Sequence, residues 1–311
     1  MSGPVVSARG LVVRYGRVTA VAGLDLDVAR GEVVGLIGPD GAGKTSTLRV
    51  AAGLLRASAG SVAVLGLDAW AHRRGLHHRL GYLAQRFALY GDLTVDENAE
   101  FFGKLHGVEG WRRRRADLLE RVGLAPFRTR PADRLSGGMK QKLALACSLL
   151  HAPEVLLLDE PTTGFDPVTR REFWRLLADL VADGLTLLLA TPYLDEAERC
   201  TRVVLMHHAR VVVDAAPRAI PALLPGTLLE LAAEPRELVG AALAGVPGVL
   251  DARPFAARFH VRLESRDAVA GVRAALAAAG VTVAEANVIP PTLEDAFLYL
   301  TQSGRTDSEA A

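Results

Sequence analysis

Cysteine is nearly absent from this chain of 311 residues. Cys147 and Cys200 are the only two, neither clustered nor spaced for a metal, so a disulfide-stapled scaffold and a cysteine-based metal centre are both excluded. Cys147 reads as a small core residue, and Cys200 carries no partner signal. Long apolar runs are missing as well. The longest, Val155–Leu158 and Leu185–Ala190, are strand-sized and far short of the ~20 residues that span a bilayer, despite a mean hydropathy of +0.21. A surplus of charge is also lacking: 36 basic residues face 35 acidic ones, so no global field draws the chain onto nucleic acid or anionic lipid. Lysine is scarce within that balance. Lys44, Lys104, Lys140 and Lys142 are the only lysines and every other basic residue is arginine, which directs attention to Lys44 as a position that needs a compact charge on a flexible stem. Met1–Gly10 lacks the charged-then-apolar layout of a secretory signal, and the expectation is a cytoplasmic protein.

Half of the residues are hydrophobic and 23% are charged, the balance of a chain with a substantial core. The length suffices for two domains of ordinary size, or for one large domain with an appendage. Short strands, Leu11–Arg14 and Leu24–Val28 among them, precede an apolar run Val33–Ile37 that ends in glycine. Leu48, Ala51, Ala52 and Leu55 then recur at helical spacing, giving strand, glycine-rich turn and helix in succession. Residues 87–150 read as a helical insertion that carries a capping box at Thr94-Val95-Asp96-Glu97. Val155–Asp159 and Leu185–Thr191 read as buried parallel strands on either side of a helix around Arg170–Ala182. The pattern predicts an α/β domain over 1–216. Pro217, Pro221, Pro225 and Gly226 mark a linker at 217–226. A small βαββαβ-like α+β module follows over 227–302, then a flexible tail at 303–311.

Three segments carry chemistry. Gly38-Pro39-Asp40-Gly41-Ala42-Gly43-Lys44-Thr45 fits the phosphate-loop pattern between a predicted strand and a predicted helix. In that pattern backbone N–H groups cradle the phosphates, Lys44 reaches the β- and γ-phosphates, Thr45 ligates magnesium, and Ser46 adds a hydroxyl. Val155-Leu156-Leu157-Leu158-Asp159-Glu160 places two carboxylates at the end of a buried strand. Asp159 suits the magnesium shell, and Glu160 suits a base or positioning group for water attacking the γ-phosphate. Leu135-Ser136-Gly137-Gly138-Met139-Lys140-Gln141 opens a helix with apolar positions Met139, Leu143, Ala146, Cys147 and Leu150, so Ser136, Gly137 and Gly138 offer a second anion site. The run Arg112–Arg115 reads as a solvated helical face, and His77-His78 and His207-His208 read as surface features.

Together these features resemble the ATP-binding subunits of ABC transporters over about residues 5–215. The resemblance implies a P-loop ATPase fold with a parallel-sheet core, an antiparallel β subdomain and a helical subdomain. It implies ATP and Mg2+ as cofactors, and a head-to-tail dimer in which Ser136–Gly138 of one subunit closes over the γ-phosphate held by the other. It matches Tyr15 to the aromatic that stacks on adenine, Gln85 to the glutamine linking magnesium to the membrane partner, and Gly164-Phe165-Asp166-Pro167 to the loop between the two active sites. Met139-Lys140-Gln141-Lys142 and Pro291-Thr292-Leu293-Glu294-Asp295-Ala296-Phe297 look like the exporter branch that includes multidrug ATPases. The implied partners are a multispan permease and a second ATP-binding subunit, homodimeric or heterodimeric, with no nucleic acid. The implied location is the inner face of the cell membrane, through that permease. Three positions depart from the family. Asp40 stands for the usual asparagine, Phe165 for leucine, and Pro192 for the histidine that contacts the γ-phosphate. Proline has neither an imidazole nor an N–H to replace it. The leading expectation is thus an exporter ATPase; its alternative is a catalytically weak regulatory subunit that pairs with a competent one.

Overall fold

The structure, a computed structural model, describes residues 3–85, 89–107 and 110–306, with side chains to 302. Two compact units divide the chain, Met1–Pro217 and Arg218–Ala311.

The first unit opens with β1 (Val6–Tyr15), β2 (Val18–Val28) and β3 (Val33–Ile37), followed by α1 (Lys44–Ala51), β4 (Ala59–Val64), β5 (Leu67–Asp68), α2 (Arg73–Leu76) and β6 (Leu80–Leu83). Three helices come next, α3 (Val95–Leu105), α4 (Trp111–Arg121) and α5 (Gly137–Leu149). The chain then alternates through β7 (Val155–Asp159), α6 (Pro167–Ala182), β8 (Thr186–Thr191), α7 (Leu194–Ala197), β9 (Arg202–His207) and β10 (Arg210–Ala215). β2, β1, β4 and β5 make an antiparallel sheet in that order. The larger sheet runs β10-β9-β3-β8-β7-β6. Its neighbours pair in parallel except for β10, which is antiparallel to β9.

Every residue of β3, β7 and β8 is buried, as expected of parallel strands covered on both faces. Fully burying each leucine of Leu156–Leu158 contributes about 1.5–3 kcal/mol, and continuous apolar runs are the cheapest way to fill such a layer. Register does the rest. Leu83 lies beside Leu158, Asp159 beside Ala190, and Ile37 beside Thr191, so β6, β7, β8 and β3 end at one edge. The loops leaving that edge carry the candidate site, in the manner general to open α/β sheets.

The helices between β6 and β7 begin with a capping box. The Thr94 hydroxyl accepts the Glu97 N–H, and the Glu97 carboxylate accepts the N–H of Thr94. Phe87, where the insertion was expected to open, lies outside the described residues. In α5 the expected apolar stripe is incomplete as a description, because every residue from Leu143 to Leu150 is buried while Met139 is half-buried. The helix enters the interior instead of lying on it. The arginine run is not a uniform solvated face either. Arg112 and Arg115 both lie over the ring of buried Trp111, with the guanidinium carbons 4.8 and 5.3 Å from its centroid, and Arg115 pairs with Asp96. Arg113 and Arg114 line a cavity with Asp117 and Leu118.

A 3-10 turn spans Pro217–Leu223, within the stretch expected as a linker. It is followed by β11 (Thr227–Glu234), α8 (Arg236–Leu243), β12 (Val249–Phe255), β13 (Arg258–Leu263), α9 (Ala268–Ala278), β14 (Thr282–Ile289) and α10 (Leu293–Thr306). The sheet order is β12-β13-β11-β14, antiparallel throughout. Leu229, Leu231, Val261 and Leu263 from its strands pack with Val239, Leu243, Val272 and Leu276 from α8 and α9. α10 continues to Thr306, into the stretch expected as a flexible tail. Residues 307–311 lie outside the described residues.

Candidate functional site

Between β3 and α1 the chain turns through Gly38–Gly43, and two of its glycines are obligatory. A Cβ on Gly38 would stand 2.1 Å from the Met206 carbonyl oxygen, and one on Gly43, at φ 107°, 2.3 Å from that of Ala20. Gly41 is left-handed at φ 80° in open space, while Ala42 is buried. Gly43 then caps α1 with no side-chain bond, so the N–H groups of the first turn have no acceptor within the helix. Lys44 is only 4% exposed. Its Nζ donates to the carbonyls of Gly38 at 2.8 Å and Pro39 at 3.0 Å, and lies 4.0 Å from the exposed carboxylate of Asp40. The loop is thus folded around the ammonium, beside the N–H groups of the first turn of α1. That set of donors fits a polyphosphate.

Asp159, 1% exposed, lies at the end of β7. Its Oδ1 accepts the Thr45 hydroxyl at 2.7 Å and its Oδ2 accepts the Tyr82 hydroxyl at 3.2 Å. Burial, with the charge of Asp159 next in importance, pushes the Tyr82 hydroxyl up to about 12, so it remains a donor throughout the physiological range. Glu160 follows in a left-handed conformation, φ 49°, with its N–H held by the Ala190 carbonyl at 2.9 Å. Such backbone strain persists only where the surroundings fix it. The Glu160 Oε2 accepts the Gln85 amide at 2.7 Å and the Thr163 hydroxyl at 3.3 Å.

The remaining expected residues fall into two groups. Tyr15 is exposed on β1, and its hydroxyl lies 3.3 Å from that of Ser46 on α1, which sets an aromatic ring beside the phosphate loop. Ser136 caps α5 by accepting the Met139 N–H at 3.3 Å, and Ser136 and Gly137 are exposed. Among the described residues no hydrogen bond or ion pair joins Ser136–Gly138 to the phosphate loop. Asp166 caps α6 through the N–H groups of Val168 and Thr169, and Pro192 is exposed where β8 ends.

Tyr82, Thr163 and the buried Glu196 are the polar groups that sequence reasoning missed. Tyr82 could have been found by setting β6 beside β7, where it faces Leu157 two residues from Asp159. The two other residues depend on loop contacts with no local pattern. Both cysteines are buried, and burial raises both thiols, Cys200 to about 12 with Glu196 adding to the effect. Neither offers a thiolate.

A glycine-formed loop at a helix start, a buried lysine, a Thr–Asp pair and a glutamate beyond it define a nucleoside-triphosphate site of the P-loop class. Comparison with known proteins narrows this. Residues 21–163 match the family model described as ABC transporter. The chain is 46% identical over 230 residues to the probable multidrug ABC transporter ATP-binding protein YbhF of Escherichia coli, covering 73% of this chain and 40% of that protein. It is 40% identical over 320 aligned positions to the daunorubicin resistance ATP-binding protein DrrA3 of Streptomyces coeruleorubidus, covering 100% of both. Its fold resembles the dimeric, post-hydrolysis structure of the ATP-binding cassette MJ0796 bound to ADP and Pi, with a TM-score of 0.62 and 26% identity over 68% of this chain and 98% of that one. The chain belongs to the ATP-binding subunits of ABC transporters. It spans less than half the length of the Escherichia coli relative and the whole of the Streptomyces one. The alternative reading, a weak regulatory subunit, is not favoured: the relatives carry exporter-type names, and the fold holds Glu160 with its partners in place.

Proposed function

We propose that the chain binds MgATP between its own phosphate loop and the Ser136–Gly138 segment of a second ATP-binding subunit, and hydrolyses it to drive export through a membrane permease. The observation that carries this reading is the convergence of Lys44, Thr45, Asp159 and Glu160 at one sheet edge, with Glu160 aimed by Gln85 and Thr163. Thr45 and Asp159 would hold magnesium, which neutralises phosphate charge when bound. No cluster of three or more His, Cys, Asp or Glu able to hold a metal occurs among the described residues, which fits an ion completed by phosphate oxygens. Lys44 exchanges carbonyl partners for phosphate, Tyr15 offers a face for adenine, and Glu160 accepts a proton from the attacking water or orients it. Gln85 reports on the site through its bond to Glu160.

No helix among the described residues is long and apolar enough to cross a membrane. The surface that suits the permease is a cavity of about 220 Å3 formed by Leu54, Tyr82, Phe102, Leu105, His106 and His151. Leu54 and Leu105 are 53% and 64% exposed beside it, an unusual placement unless covered. Tyr82 joins this cavity to Asp159. The membrane partner docks here, at the inner face of the cell membrane.

The test is phosphate release from ATP by the purified full chain with and without magnesium, together with co-purification of a multispan permease from the source cells. Magnesium-dependent release and loss of co-purification in Leu54→Asp or Leu105→Asp are expected. Release that ignores magnesium would contradict the site, and unchanged co-purification would contradict the groove.

A further inference from the structure

The functional reading leaves one buried charge unused. Glu196 on α7 is 0% exposed, as are Thr162 in the loop after β7 and Thr191 at the end of β8. The Thr162 hydroxyl donates to one carboxylate oxygen of Glu196, and the Thr191 hydroxyl donates to the other at 2.6 Å. The Thr191 oxygen in turn accepts the Tyr193 N–H at 3.1 Å. Arg170 on α6 supplies the countercharge. Its Nε lies 3.9 Å from Glu196, its Nη1 3.4 Å from Asp195, and its guanidinium carbon 4.2 Å from the centroid of the Tyr193 ring.

A buried carboxylate costs several kcal/mol of desolvation that pairing only partly offsets, and an apolar side chain would fill the same space more cheaply. The arrangement has no surface for a ligand, since the three interacting side chains are fully enclosed. What it does is join two loops. The segment held through Thr162 contains Thr163, whose hydroxyl reaches Glu160, and starts at Glu160 itself. The segment held through Thr191 is preceded by Ala190, whose carbonyl fixes the strained Glu160 N–H. Glu160 is therefore anchored by its backbone on the end of β8 and by its side chain within its own loop. Glu196, at the far end of the loop after β8, bonds to both segments. Pro192 sharpens the requirement, because it brings neither an N–H nor a side-chain donor to the turn that follows Thr191.

We propose that Glu196 is a positioning residue for ATP hydrolysis, fastening the loops after β7 and β8 to each other so that Glu160 stays aimed at the attacking water. This rests on the hydrolytic reading given above. Glu196→Gln keeps the volume and removes the charge and one acceptor; Thr162→Val and Thr191→Val each remove one hydroxyl while keeping shape.

Steady-state hydrolysis and calorimetric ATP binding by the full chain test it. In each variant kcat should fall roughly 10- to 100-fold, the loss expected when a catalytic group is misplaced by a fraction of an ångström to about 1 Å, while ATP affinity stays within about twofold of the unmodified chain. The double variant Glu196→Gln/Thr162→Val should be no slower than the slower single one, as befits members of one unit. If Glu196→Gln fails to fold, the two valine variants decide alone. Unchanged kcat in a folded variant, or affinity and kcat falling together with additive effects, would overturn the proposal and leave Glu196 a core residue. An unmodified chain without magnesium-dependent hydrolysis would instead bring down the hydrolytic reading and this inference with it.

Discussion

Two helices in the first unit begin with glycines and expose unpaired N–H groups, yet they are built differently. The start of α1 is enclosed. Its lysine is buried and bonded to the loop's own carbonyls, its threonine is tied to Asp159, and two of its glycines pack against neighbouring backbone. The start of α5 is open: Ser136 caps it, Ser136 and Gly137 are exposed, and Gly137 has nothing within 4 Å of a Cβ. A helix start that brings its own cation and is backed by a carboxylate carries most of a phosphate site within one chain. One that brings only N–H groups contributes to a site whose remainder lies elsewhere, which in the proposed dimer is the phosphate loop of the opposing subunit.

That contrast can be broken from either side. Lys44→Ala removes the buried ammonium from α1 and should weaken ATP binding by roughly 100-fold or more, the value of a charge-assisted contact to phosphate. Calorimetry with MgATP reads it, and retained affinity would remove the phosphate-loop assignment. Ser136→Ala acts at the open helix. Loss of the cap should cost about 1 kcal/mol of stability and leave binding to the monomer within about twofold, while turnover at high protein concentration drops roughly tenfold through one lost phosphate contact. Equal losses of binding and turnover would show that α5 serves its own chain's nucleotide.

The legible parts of the site were those written in consecutive residues. Gly38 to Ser46 and Val155 to Glu160 each hold backbone geometry and chemistry within a few positions, so spacing alone exposed them. Tyr82 and Glu196 act across 77 and 34 residues on partners set by strand register and loop packing, and no short pattern marks them. The fold shows the same divide. β7 and β8 stood out as unbroken apolar runs. β1 and β2 were read as much shorter strands, because register shifts around Ala8, Leu11 and Val13 interrupt the alternation, with left-handed Gly10 at one of them. The arginine run is exposed at Arg112, Arg113 and Arg114 as its charge suggests, while the Trp111 ring under two of its members is set by packing that sequence does not show.

The smallest expected effect concerns the cavity assigned to the permease. His151 is buried, stacked on His106 with centroids 4.3 Å apart, and bonded to the Leu80 carbonyl at 3.1 Å. Burial, and then the neighbouring His106, brings His151 down to about 4, below its ordinary 6.5. The folded state therefore binds this proton less readily than the unfolded one. Stability is fully present above pH 6.5 and declines as the pH falls toward 4. Thermal melts should show a drop on the order of 5 °C across that window, reduced in His151→Asn. A flat profile in the unmodified chain would mean that this histidine stays solvated.

The claim on which the account depends is that Glu160 serves hydrolysis and not binding, and Glu160→Gln isolates it. Glutamine keeps an oxygen to accept from Gln85 and Thr163 while losing basicity. Measured side by side, ATP affinity and phosphate release give the answer. The account predicts affinity equal to that of the unmodified chain within about twofold and turnover lower by roughly 100- to 10,000-fold, the range for losing a general base. Turnover within about threefold of the unmodified chain, or a loss of affinity as large as the loss of turnover, would contradict it.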